Sequence, residues 1–336
     1  MANSEDLPLA VTMGDPAGCG PQITLRAWKT LSAEPGVSPF YVTGDPAIFG
    51  EAAAAIDHPA DAARLFADKL PVLPLKTVLP DFSTGTPDSA LAPGIVESID
   101  RAMADAFAGL SGGVVTNPIS KAVLYSAGFR HPGHTEYLAE LCEAHTGRPS
   151  PPVMMLVGGG LRVALATIHV PLMRVLDHLT STSLESVIRI TAQAMQRDFG
   201  IGSPRIGLTG LNPHAGESGT IGLEERDIIN PVAERLRAEG IDVSNARPAD
   251  TIFAETLDGR FDAVIAMTHD QGLIPVKTLD IWGGVNTTLG LPIIRTSPDH
   301  GTAYDAAAEN TARPDSLIAA IRLASKMAAQ RAHHDG

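Results

Sequence analysis

AVIAMTHDQG, residues 263–272, joins a buried-strand pattern to a histidine: five apolar residues end at Met267, and His269 follows in a polar turn. The arrangement recurs twice. VALAT (163–167) runs into His169 within ATIHVPL, and IGLTGL (206–211) runs into His214 within LNPHAGE. A core histidine normally has apolar neighbours on a periodic element, whereas these three have small or polar ones. Each is expected to project from the carboxyl end of a strand, the edge of an open α/β sheet where ligands bind. Three imidazoles from three strand ends supply three ligands to a divalent metal and leave a position for substrate. Any one alone reads more simply as a loop histidine. All three follow strands, with Asn212, Glu217, Asp270 and Gln271 close by to orient them, and that points to a metal site.

Working outward, short β-rich runs alternate with helical patterns. Leu9–Met13, Phe40–Thr43, Gly113–Thr116, Val153–Leu156, Val163–Thr167, Ile206–Thr209 and Val264–Met267 read as strands. Helices are expected over Pro21–Leu31, Leu184–Met195, Glu224–Glu239 and Leu317–Ala328, and Ile95, Ile99, Met103 and Ala106 share another helical face. This alternation predicts a largely parallel sheet covered on both faces. The GGGL turn between Val153–Leu156 and Val163–Thr167 predicts an antiparallel hairpin inside it. No linker or internal repeat is visible, so two interwoven α/β/α lobes are expected. One takes residues 1–130 and 272–336; the other, carrying metal, substrate and dimer contacts, takes 131–271.

At 336 residues and 44% hydrophobic, the chain is long enough for two cores. Its net charge of −13 argues against non-specific binding to nucleic acid or an anionic membrane. Two cysteines, Cys19 and Cys142, are too few for a disulfide framework. MANSEDLPLA lacks a signal-peptide pattern and no long apolar run is present, so a cytoplasmic protein is expected.

Common nucleotide motifs are missing: there is no GxxxxGK[ST], and Gly14, Gly18 and Gly20 do not make GxGxxG. That turn and Gly158–Gly160 read as plain tight turns. Between His269 and Asp305, Lys277 follows LIPV, Arg295 follows LPII, and Asn286 lies in a Gly-bounded segment. Read as strand ends, these are a cation pair and an amide suited to a phosphate or carboxylate. Asp299, His300, Gly301 and Thr302 open a turn into Tyr304–Ala308 that would wrap an adenosine moiety, with a bare surface turn as the competing reading. In RHPGHTEYLAEL, Thr135 reads as a helix N-cap. His134 beside it, at a helix start, suits an anion.

Together the stretches VTMGDPAGCGP, TNPISK, GFRHPGHTEYLAEL, LRVALATIHVPL, LNPHAGE, ADTIFAE, MTHDQGLIPVK and GVNTTLGLPIIRTSPDHGTA resemble the 4-hydroxythreonine-4-phosphate dehydrogenase family of vitamin B6 synthesis, end to end. The resemblance implies an isopropylmalate-dehydrogenase-like fold with a cleft between the lobes, and DHGTAYDAA looks like the cofactor loop of those enzymes. Cys19 departs from the family, where Ile is usual. Carried over by position, the metal ligands fall on His169, His214 and His269, and the substrate contacts on His134, Thr135, Lys277, Asn286 and Arg295. Asp250 and Asp270 match as well and, with Lys277, are the candidates for moving the proton. Asp299, His300, Gly301 and Thr302 are the cofactor candidates.

The implied cofactors are NAD or NADP and one divalent metal per site, with zinc first and magnesium, manganese or cobalt as alternatives. The implied partner is a second copy, in a homodimer with shared active sites. Two other readings stay open: a sister dehydrogenase acting on phospho-threonate, phospho-erythronate or a cyclic dihydrodiol, and a three-histidine zinc hydrolase. A structural zinc fits poorly, because neither cysteine lies near a histidine motif.

Overall fold

The structure, a computed structural model, describes residues 7–131 and 133–335. Twelve strands occur among them: β1 (Leu9–Thr12), β2 (Phe40–Gly44), β3 (Ala53–Ala55), β4 (Leu70–Pro74), β5 (Val114–Val115), β6 (Val153–Gly158), β7 (Leu161–Leu165), β8 (Ile206–Thr209), β9 (Val243–Arg247), β10 (Ala263–Ala266), β11 (Val285–Leu289) and β12 (Arg295–Pro298). The chain folds as two compact units, leaving the first at Pro152 and returning to it at Leu291.

In the first unit the strand order is β3-β4-β2-β1-β5-β12, and every pair is parallel. Leu9, Ala10 and Val11 are fully buried, as expected of a strand covered on both faces. Helix Ala92–Phe107 lays Ile95, Ile99, Ala102 and Met103 into the core beside Tyr41 and Val114. Burying each such Ile or Met side chain contributes about 1.5–3 kcal/mol. Helix Asp315–Asp335 buries Leu317, Ile321 and Ala324, the face expected from their spacing, and packs on β12.

In the second unit, Val153–Gly290, the order is β11-β6-β7-β10-β8-β9. The GGGL hairpin is present: β6 and β7 pair antiparallel, with Gly158 opposite Leu161, and β11 extends the antiparallel part. From β7 through β10 and β8 to β9 the strands are parallel. Helices Ser181–Arg197 and Asn230–Ala238 close a core built on Ile188, Met195, Leu208, Val232, Leu236 and Ile265.

The units divide at 152/153 and 290/291, where the sequence reading put the junctions at 130/131 and 271/272. Two pairings explain the difference. Helix His134–Thr146 packs on Ala92–Phe107 and so stays with the first unit, while β11 is bonded to β6 and so belongs to the second. No helix among the described residues is long and apolar enough to cross a membrane.

Candidate active site

β7, β10 and β8 are adjacent and parallel, so their carboxyl ends share one edge of the second unit. The three histidines follow those ends. The rings of His169 and His269 have centroids 5.4 Å apart, tilted by 47°. His269 is the first residue of helix His269–Leu279, whose start is fixed by reciprocal bonds between Thr268 and Gln271. Its Nδ1 lies 2.8 Å from Asp270 Oδ1. A carboxylate there favours the tautomer with its proton on Nδ1, which keeps the Nε2 lone pair free to act as a ligand.

His214 is placed differently. Residues His214 to Ser218 all have positive φ, at 51°, 50°, 76°, 44° and 56°. Only one of the five is a glycine, and each of the other four costs about 1–2 kcal/mol in this conformation. Such strain persists only where surrounding structure imposes it. Among the described residues, no three His, Cys, Asp or Glu side chains of this one chain are grouped closely enough to hold a metal ion.

Asn212 and Gln271 hold loops rather than contact histidines. Asn212 donates to Glu224 and Glu225, and Gln271 bonds Thr209 and Gly210. Lys277 departs from the sequence reading: LIPV is helical, despite Pro275 within it, and Lys277 sits half-buried in the last turn. Gly272 permits this, since a Cβ there would come within 2.5 Å of Leu165 as the helix crosses β7. Asn286 is half-buried on β11 opposite Leu156, and Asp250 is exposed in the turn after β9.

A second cluster lies in the first unit. Thr116, Lys121, His134, Arg295, Ser297 and His300 line one cavity alongside β12 and beyond the carboxyl end of β5. Arg295 is only 4% exposed. Its Nε and Nη2 both donate to Thr116 Oγ1, at 3.1 and 2.7 Å, which fixes the plane of the guanidinium. Burial pushes the Arg295 pKa down to about 10, with Glu136 opposing, so the group stays cationic at neutral pH. Burial first, and the Arg295 charge second, hold His134 well below the usual imidazole range. Its buried Nε2 has no hydrogen-bond partner among the described residues. A neutral imidazole and a fixed guanidinium facing one cavity suit an anion. The cap of helix His134–Thr146 is Gly133, not Thr135; His134 and Thr135 form its first turn, where free N–H groups add to that preference.

The loop after β12 is built against the loop after β1. Cys19 N–H donates to Thr302 O at 2.8 Å, and a Cβ on Gly18 would lie 2.9 Å from that oxygen. Tyr304 donates its hydroxyl to Asp15 Oδ2 at 2.5 Å, and Asp15 is fully buried with its pKa raised by desolvation. Sequence reasoning passed over Asp15, Thr116 and Tyr304, because each acts on a residue roughly 180 or more positions away or on a loop at the far end of the chain.

Residues 37–324 match the family model described as pyridoxal phosphate biosynthetic protein PdxA. The chain belongs to this family. It is 51% identical to 4-hydroxythreonine-4-phosphate dehydrogenase of Methylorubrum populi, over 98% of this chain and 97% of that protein. Among solved structures, the Klebsiella pneumoniae 4-hydroxythreonine-4-phosphate dehydrogenase aligns with a TM-score of 0.84 at 36% identity, covering 96% of this chain and 100% of that one. A terephthalate 1,2-cis-dihydrodiol dehydrogenase from Burkholderia xenovorans LB400 aligns at 0.67 and 29% identity, covering 96% and 98%. In this PdxA-family chain the donor set suits a divalent metal, being imidazoles on one sheet edge with one already oriented by a carboxylate.

Proposed function

We propose that this chain is a dehydrogenase that uses NAD or NADP and a divalent metal to oxidise 4-phosphooxy-L-threonine at its C3 hydroxyl. The product, 2-amino-3-oxo-4-(phosphooxy)butanoate, loses CO₂ to give 3-amino-2-oxopropyl phosphate, on the route to pyridoxine 5'-phosphate. The observation that carries the reading is full-length similarity to proteins named for this substrate. That similarity to dehydrogenases also removes the hydrolase alternative.

His169, His214 and His269 would hold the metal, with zinc favoured by three neutral imidazoles and magnesium, manganese or cobalt as alternatives. When bound, the metal supplies a Lewis acid for the substrate hydroxyl and for the ketone that follows. Asp270 orients His269, which leaves Lys277 and Asp250 to move the hydroxyl proton. Arg295 would bind an anionic end of the substrate as a fixed fork, and His134 and Thr135 would bind it through Nε2 and the helix start. Lys277 and Asn286 would supply further substrate contacts. Asp299, His300, Gly301 and Thr302 would receive the dinucleotide on a loop that Asp15 and Tyr304 anchor.

A second copy of the chain completes the metal site in this reading. Apolar side chains are exposed in the segments that follow the three histidines: Leu172 (78%) and Met173 (95%), Ile221 and Leu223, and Ile274, Ile281 and Trp282. Exposed apolar side chains on segments that share a strand edge suit a self-complementary interface. His214→Ala and His269→Ala should each be inert. If these ligands belong to opposite chains, a mixed dimer has one intact site and regains roughly half the parent activity. Purified mixed dimers that stay inactive would place both ligands on one chain.

The likeness to a dihydrodiol dehydrogenase keeps a sister activity in view. Nicotinamide reduction with 4-phosphooxy-L-threonine, phospho-threonate and a dihydrodiol carboxylate, run side by side, decides it. The expected result is a higher kcat/KM for the first; the reverse order would reassign the chain within the family.

A further inference from the structure

We infer that Glu225, acting through Asn212, is a positioning residue that locks the left-handed turn carrying His214. This rests on the reading of His214 as a metal ligand. The His214 side chain is exposed, so no packing directs it, and its aim depends on the backbone beneath. That backbone is held from one side. Glu225 is 3% exposed, and its two oxygens accept from Asn212: Oε1 from the backbone N–H at 2.7 Å, Oε2 from Nδ2 at 2.9 Å. The same Nδ2 reaches Glu224 Oε2 at 2.7 Å. Asn212 stands two residues before His214, where the chain enters the turn.

The fit around this clamp is close. A Cβ on Gly216 would lie 2.5 Å from Glu225 Oε2, and one on Gly222 would lie 2.2 Å from Asn212 Nδ2. Two of the turn's own bonds, Ala215 N to Asn212 O and Ile221 N to Gly216 O, start or end on residues that the clamp touches. A strained backbone with an exposed side chain needs such an anchor to present its imidazole in one direction. Without it the turn is free to relax toward right-handed conformations, which carry His214 elsewhere.

The test is Co²⁺ affinity of the full-length protein, by competition with a chelating dye, together with the visible spectrum of the cobalt form. Glu225→Gln is expected to weaken binding about ten- to a hundredfold and alter the spectrum, with kcat recovering in excess cobalt. Ile229→Val, in the adjoining turn and fully buried, is the control: it should lower the melting temperature but leave affinity unchanged. Asn212→Ser removes the side-chain amide and leaves the carboxylate in place, so it serves if Glu225→Gln does not fold; a severalfold loss is expected. Parent-like affinity in the folded clamp variant, or an equal loss in Ile229→Val, would overturn the inference. His214→Ala separates the two readings. If it binds cobalt like the parent, the metal assignment itself fails; if it loses cobalt while the clamp variants do not, only this inference fails.

Discussion

Stripping the protein of divalent metal is expected to abolish turnover and leave the fold intact. His169 and His214 are exposed and His269 is 31% exposed, and none belongs to the apolar clusters that hold the units together. The fold therefore does not depend on a metal, unlike a structural zinc site. Losing Lewis-acid stabilisation of the developing charge costs several kcal/mol, about a thousandfold or more in rate. Zinc, cobalt or manganese should restore activity, with circular dichroism unchanged throughout. Full turnover by protein shown metal-free by elemental analysis would remove the histidines from the mechanism.

Arg295→Ala is expected to reduce kcat/KM about a hundredfold, the equivalent of roughly 3 kcal/mol for a lost charged hydrogen-bonding fork. The guanidinium is nearly buried and its plane is set by Thr116, so water entering the space left behind cannot supply the same two directed donors. Arg295→Lys should recover only part of the loss, because an ammonium is a point charge without the fork. The alanine variant also strands the Thr116 hydroxyl, so a small drop in melting temperature is expected alongside. Unchanged substrate affinity in either variant, measured by calorimetry with the phosphorylated substrate, would take Arg295 out of the anion site.

Periodicity and strand-end placement made much of this legible. VALAT, IGLTGL and AVIAM each contain the carboxyl end of a buried strand, and the histidines after them fall on one edge because β10 inserts between β7 and β8. LIPV before Lys277 misled because a short apolar run reads equally as strand or helix. The signal that resolves it is the Thr268/Gln271 capping pair three residues apart, which was available in the sequence. Thr135, the cap expected from its residue type, falls inside the helix because extended Gly133 occupies the cap position. The left-handed turn at His214 had only Gly216 to announce it, and four residues without that conformational freedom share the conformation. What imposes it is Glu225, together with packing around Gly216 and Gly222, and no local pattern encodes such an anchor. The same holds for Thr116 beneath Arg295 and Asp15 beneath Tyr304: their partners lie 179 and 289 positions away.

The most direct measurement mixes the metal-loaded protein with NAD or NADP and 4-phosphooxy-L-threonine, and follows reduced nicotinamide and CO₂ together. Oxidation at C3 followed by loss of the carboxylate predicts the two in equal amounts, both abolished by chelator and by His269→Ala. Release of inorganic phosphate without nicotinamide reduction, or nicotinamide reduction that survives both treatments, would contradict the account.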